Sequence, residues 1–187
     1  MKKSLIVAAL ALLSASAFAE TSFSYLDGVQ KNEVGNATTH VNLVIVKTDL
    51  TKNFAVDYLA TLKSDSSNTI SNRQEGGLTY TQSVAGPVSA YARGSLGLKQ
   101  TSGTPSFSYF TVEPGVAIAL GDKLQAKVGY YYRDETQSGH LDSLRQARYY
   151  VSYSLTPKDK ILAAYMHDLK GNVTLANTPY IGYSRSF

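Results

Sequence analysis

The chain contains no cysteine and no tryptophan, and only two methionines and three histidines in 187 residues. Without cysteine no disulfide can staple the fold, and thiolate metal centres are excluded. His40, His140 and His167 are scattered, so neither a metal nor a cofactor is expected. A large excess of one charge is missing too: 18 Lys and Arg stand against 14 Asp and Glu. Two of those basic residues, Lys2 and Lys3, sit at the very start; without them the balance is +2, too little to favour nucleic acid. The chain also lacks any long hydrophobic run. Its longest, residues 5–13, is too short to cross a bilayer as a helix. A single domain of this size must therefore be stabilised by closure of its own fold or by lipid.

What is present begins at the N-terminus. Lys2 and Lys3, the apolar run and the small-x-small pattern Ala17-Phe18-Ala19 have the form of a secretory signal peptide. The expected organisation is a cleaved segment 1–19 and one domain over 20–187; the other reading of the run is a short buried core helix. Tyrosine occurs fourteen times. Tyr populates membrane interfaces, but a secreted β-sandwich is Tyr-rich as well, so residue order must decide.

The order is that of alternating strands. Residues 54–63 place Phe54, Val56, Tyr58, Ala60 and Leu62 on one face and Ala55, Asp57, Leu59, Thr61 and Lys63 on the other. Comparable period-2 segments are 75–84, 88–99, 109–120, 124–133 and 145–155. Weaker ones are 21–30, 39–48 (where Val44 and Val46 blur the parity), 161–167 and 178–187. The predicted fold is all-β: a closed antiparallel transmembrane barrel of about ten strands, with eight as the alternative. Predicted connectors at one end, 49–53, 85–87, 121–123 and 156–160, are short and turn-forming. Those at the other, 31–38, 64–72, 100–106, 134–143 and 168–177, are longer and polar. An even strand number with short periplasmic turns puts both termini in the periplasm. Closure follows from lipid itself, because no backbone N–H or C=O can remain unpaired there. Two residues resist the scheme. Pro114 falls in mid-strand on the lipid face, where a bulge is expected, and Arg185 falls on the lipid side of the last strand, close enough to its end to snorkel.

The chain ends at 180–187 as Tyr-Ile-Gly-Tyr-Ser-Arg-Ser-Phe, with Ile181, Tyr183 and Phe187 at alternate positions of the closing strand. With the signal segment, the alternation and the loop asymmetry, this ending resembles small Gram-negative outer-membrane β-barrel proteins. Segment 112–118, Val-Glu-Pro-Gly-Val-Ala-Ile, is similar to one strand of oligosaccharide-specific porins. The resemblance implies location in the outer membrane among lipid and lipopolysaccharide. It also implies passage through periplasmic chaperones and the barrel-assembly machinery, with Phe187, Tyr183 and Ile181 as the assembly signal. It leaves function open, since such barrels serve as channels, adhesins, structural anchors and lipid enzymes.

Inward-facing charges carry the main functional expectation. Arg93, Glu113 and Arg148 count to mid-height, with Asp57 and Lys127 somewhat lower. They form either a neutralised polar plug or a constriction for small ions or solutes, in which the basic excess favours anions. The second class is a non-conducting structural or adhesin-like barrel, though the loops are modest in length and poor in aromatics. The third is a lipid-modifying enzyme built on His40 with Asp65 and Ser66, three common residues without a diagnostic motif. His140 with Asp142, and His167 with Asp168, read as solvated loop residues. Among the tyrosines, Tyr130, Tyr132 and Tyr149 are expected in an interfacial girdle, with Tyr131 and Tyr150 turned inward.

Overall fold

The alternation becomes ten antiparallel strands: β1 (Thr21–Asn32), β2 (Thr38–Asp49), β3 (Phe54–Asp65), β4 (Ile70–Ala85), β5 (Val88–Thr101), β6 (Phe107–Leu120), β7 (Leu124–Glu135), β8 (Leu144–Ser154), β9 (Asp159–Lys170) and β10 (Val173–Ser186). This computed structural model describes residues 20–33, 37–66, 69–136, 143–170 and 173–187. The expected signal segment 1–19, and His140 and Asp142, lie outside the described residues. Each strand pairs with its sequence neighbours, and β10 closes on β1, so the strand count is ten rather than eight. At the closing seam Ser24 sits opposite Ser184, its Oγ donating to the Ser184 Oγ at 2.8 Å. The backbone N–H of Phe187 donates to the Thr21 carbonyl at 2.9 Å. Among the described residues the sheet has no free edge for another chain to pair with.

Alternation sorts the side chains. Along β6, Tyr109, Thr111, Glu113 and Ala117 are buried inward, while Phe110, Val112, Val116 and Ile118 are exposed. Phe23 and Tyr25 of β1, Leu96 of β5, Tyr130 of β7, Tyr149 and Val151 of β8 and Ile181 of β10 continue that outer apolar surface around the barrel. A surface of this extent is unfavourable in water and favourable in hydrocarbon, where a closed sheet satisfies its backbone internally. Among the described residues no helix is long and apolar enough to cross a membrane; the strands provide the crossing.

The lumen has two unlike walls. On the arc from β9 through β10, β1 and β2 to β3, the inward residues Leu26, Val41, Leu43, Leu59, Ala164 and Met166 form a buried apolar cluster. Val41, Leu43 and Ile45 of β2 face this cluster while Val44 and Val46 face outward, which is why both parities of that strand read as apolar. From β4 to β8 the large inward side chains are charged, polar or aromatic.

At the end away from the termini every strand runs beyond its sequence-predicted end. The connectors are residues 33–37, 66–69, 102–106, 136–143 and 171–172 at one end, and 50–53, 86–87, 121–123 and 155–158 at the end carrying both termini. The bulge expected at Pro114 does not form. The β6–β7 ladder skips Glu113 and Pro114 and resumes unshifted, with Val112 opposite Tyr132 and Gly115 opposite Gly129. Pro114 still pairs with Ala92 of β5, so its missing donor lies on the β7 side. The register breaks instead at Ser83/Ala85 and Thr174/Ala176. Arg185 is exposed on the outer face, where its Nη1 meets Asp159 Oδ1 at 3.4 Å.

Candidate functional site in the lumen

Inward alternation on adjacent strands brings four of the five expected charges into one buried network. Arg93 of β5 grips Asp57 of β3, with Nε to Oδ2 at 2.9 Å and Nη2 to Oδ1 at 2.5 Å. Arg148 of β8 donates through Nη1 to Glu113 Oε2 of β6 at 2.7 Å. Lys127 departs from the expectation. Its Nζ lies 4.3 Å from the Tyr91 ring centre and 5.9 Å from that of Tyr150, a cation–π contact rather than an ion pair.

The hub of the network is Glu75 of β4, 1% exposed, which the sequence places on the correct face but outside the expected cluster. Its carboxylate accepts from Arg93 Nη1 at 3.1 Å, Ser95 Oγ at 3.2 Å, Tyr109 Oη at 3.2 Å and Tyr131 Oη at 3.1 Å. Arg73 Nε stands 3.9 Å away on the same strand. The Glu113 side continues through Arg148 Nε to Gln146 Oε1 at 2.5 Å, and Gln146 donates to Asp168. Tyr91 Oη donates to Glu113 Oε1 at 3.1 Å. The Arg148 guanidinium also stacks 3.5 Å over the Tyr131 ring, which joins the two halves. A buried carboxylate with this many donors is compensated in full, and removing one member of an ion pair strands the other charge.

Glycine makes room for the bulky members. Tyr91 lies against Gly115 of β6 and Gly129 of β7, where an added Cβ would meet the Tyr91 Cζ at 2.4 Å and its Oη at 2.3 Å respectively. The pair sits directly opposite one another in the β6–β7 ladder, so together they form a socket for one ring.

The network divides the lumen. Toward the end away from the termini lies a cavity of about 320 Å³, lined among others by Lys63, Arg73, Lys99, Arg133 and Asp168. Toward the termini lies one of about 310 Å³, lined by Asp57, Arg93, Glu113, Lys127, Arg148 and the apolar Leu26, Ile45, Leu59 and Leu162. A rim cavity of about 490 Å³ shares Lys47 and Lys127 with it. Among the described residues none lines both of the first two cavities; Glu75, Tyr109 and Tyr131 fill the layer between.

Other candidate groupings do not assemble. His40 is exposed on the outer-facing parity of β2, and Asp65 falls on the inner-facing parity of β3, where its Oδ1 accepts from the Thr69 N–H at 2.9 Å; Ser66 lies in the following turn. His167 and Asp168, expected in a loop, belong to β9. The His167 ring bonds Asn177 Oδ1 at 2.6 Å on one side of the sheet, and Asp168 is buried on the other. Tyr131 and Tyr150 point inward, and Tyr130 and Tyr149 are exposed outside. In the terminal strand Ile181, Tyr183 and Phe187 are exposed on the outer face, the Tyr183 hydroxyl donating to Asp159.

No protein-family model and no curated protein matches the chain. Solved structures do. The COG4313 outer membrane channel from Pseudomonas putida F1 is similar over 90% of this chain and 95% of its own, at 10% identity and a TM-score of 0.59. The β domain of the Bordetella autotransporter BrkA matches over 90% and 99%, at 9% identity and a TM-score of 0.56. The KdgM porin in complex with disordered oligogalacturonate matches over 89% and 99%, at 13% identity and a TM-score of 0.51. At these identities the likeness is one of fold: the chain has the closed architecture of outer-membrane β-barrels.

Proposed function

We propose that the protein is a porin-like barrel of the outer membrane, with both termini in the periplasm, that passes small ions or solutes and favours anions. Support for the location is the apolar outer surface on an edgeless sheet, together with the likeness in fold to outer-membrane barrels. The observation that carries the channel reading is the pair of cavities above and below one thin layer. Among their described lining residues the outer one has four cations and a single carboxylate. In the inner one Lys127 and Lys160 add to arginines already matched by carboxylates. Passage requires the Glu75 layer to part, so the layer is the constriction and its charges set selectivity. Lipid, lipopolysaccharide, the assembly machinery and the permeating ions are the partners this role entails.

The buried, compensated layer also favours a second reading, a non-conducting structural barrel with a polar plug. Planar-bilayer recording of the refolded mature protein separates the two. The channel gives discrete, anion-favouring steps, and Glu113→Lys shifts the reversal potential further toward anions. A folded wild-type barrel that stays silent makes the protein structural. Unchanged currents in folded Glu113→Lys move the ion path away from this network.

A further inference from the structure

The geometry points to the inner cavity as a binding site for an anionic amphiphile, a medium-chain alkyl carboxylate, independent of whether the lumen conducts. One wall is apolar: Leu26, Ile45, Leu59 and Leu162 line it, backed by the buried cluster of β1, β2, β3 and β9. The facing wall carries Lys127, held by its contacts with the Tyr91 and Tyr150 rings. Among the described residues the Lys127 side chain has no hydrogen bond and no ion pair, and neither does that of Lys160 lower in the same cavity. The carboxylates that share the space are already engaged, Asp57 by Arg93 and Glu113 by Arg148 and Tyr91. Lys47, at the rim, pairs with Asp49 at 2.6 Å.

Two ammonium groups without a paired carboxylate in a half-enclosed space favour an anion, and the aromatic faces and the more distant Glu113 and Asp57 carboxylates neutralise Lys127 only in part. A small inorganic anion would leave the leucine wall wet, whereas an alkyl chain covers it at about 25 cal/mol per Å² of apolar surface removed from water. The volume of about 310 Å³ stands at the lower bound of small-molecule sites, which suits one medium-length chain and excludes a two-chain lipid. The head group then meets Lys127, and the chain lies along Leu26, Leu59 and Leu162.

Isothermal titration of the refolded mature protein in non-ionic micelles, with protein-free micelles as the blank, tests this with octanoate, acetate and octylammonium. Octanoate is expected to bind saturably at one per barrel, with acetate and octylammonium weaker by about tenfold or more. Lys127→Gln lowers octanoate affinity by about tenfold or more. Leu162→Thr weakens octanoate but leaves acetate unchanged. Acetate binding as tightly as octanoate would reduce the site to a plain anion pocket and overturn the assignment. So would equal octylammonium binding, or full octanoate affinity in a folded Lys127→Gln barrel. Should that variant not fold, the ligand series and Leu162→Thr decide. None of these readings depends on current, so a silent barrel leaves the test intact.

Discussion

Glu75 shows what residue-level reading captures and where it stops. Period-2 alternation places Asp57, Arg93, Glu113 and Arg148 inward, and step counts from the turns bring the last three to mid-height with Asp57 somewhat lower; the structure joins all four. Glu75 has the correct face, but a strand begun at residue 75 puts it at the outer rim. The strand begins at Ile70, which carries Glu75 to mid-lumen and brings in Arg73, which falls before the expected strand start. Nor can alternation show that Lys127 meets rings instead of a carboxylate, because that depends on side chains from β5 and β8 at matching depth. Glu75→Gln keeps the volume and removes the charge, leaving Arg73 unmatched and Arg93 with Asp57 alone. The expected cost is about 3–5 kcal/mol, the usual penalty for one-sided loss of a buried pair. Urea unfolding of the variant in lipid vesicles measures it; a loss below about 1 kcal/mol would mean that packing, not charge, holds the layer.

Each element is decided by a hydrogen-bond ladder that hydropathy follows only within the apolar belt. Ser71 and Thr101 read as loop because they are polar. They are strand because their side chains face a lumen that accepts polar groups, and the backbone pairing continues past the belt. The loops therefore looked longer than they are, while the number and order of strands were legible throughout. Pro114 is the opposite case, a residue that breaks the ladder inside the belt without shifting it. Its absent donor leaves a β7 carbonyl without its ladder partner on a lipid-facing stretch, a loss worth more than in water. Pro114→Val restores the donor on an exposed face where the extra atoms meet no neighbour in the lumen. One hydrogen bond of about 0.5–1.5 kcal/mol, strengthened by lipid, outweighs the roughly 0.4–1 kcal/mol lost by freeing the unfolded chain. The variant should unfold at a higher temperature in a gel-shift assay. A lower midpoint would show that the proline ring packs better than the ladder pairs.

At the scale of the whole molecule, closure creates properties that no single strand carries. The apolar wall exists because β1 and β2 close against β9 and β10, bringing Leu26, Leu43 and Met166 into one cluster from opposite ends of the chain. The sequence shows each residue's face but not which strands share an arc of the lumen, so the division into apolar and charged walls was not legible. The last strand raises the complementary question of what a residue does before closure. Phe187 is 71% exposed in the finished barrel, and it contributes a backbone N–H to Thr21 at the seam. Phe187→Ala keeps that bond and removes only an exposed ring, so stability in vitro should change by less than about 0.5 kcal/mol. If the ring acts as an assembly signal, the amount of folded protein in the outer-membrane fraction of cells should nevertheless fall severalfold. Comparing the in-cell yield with the refolded protein's urea midpoint separates the roles. Parallel losses would assign Phe187 to packing against lipid, whereas a yield defect with an unchanged midpoint assigns it to recognition during assembly.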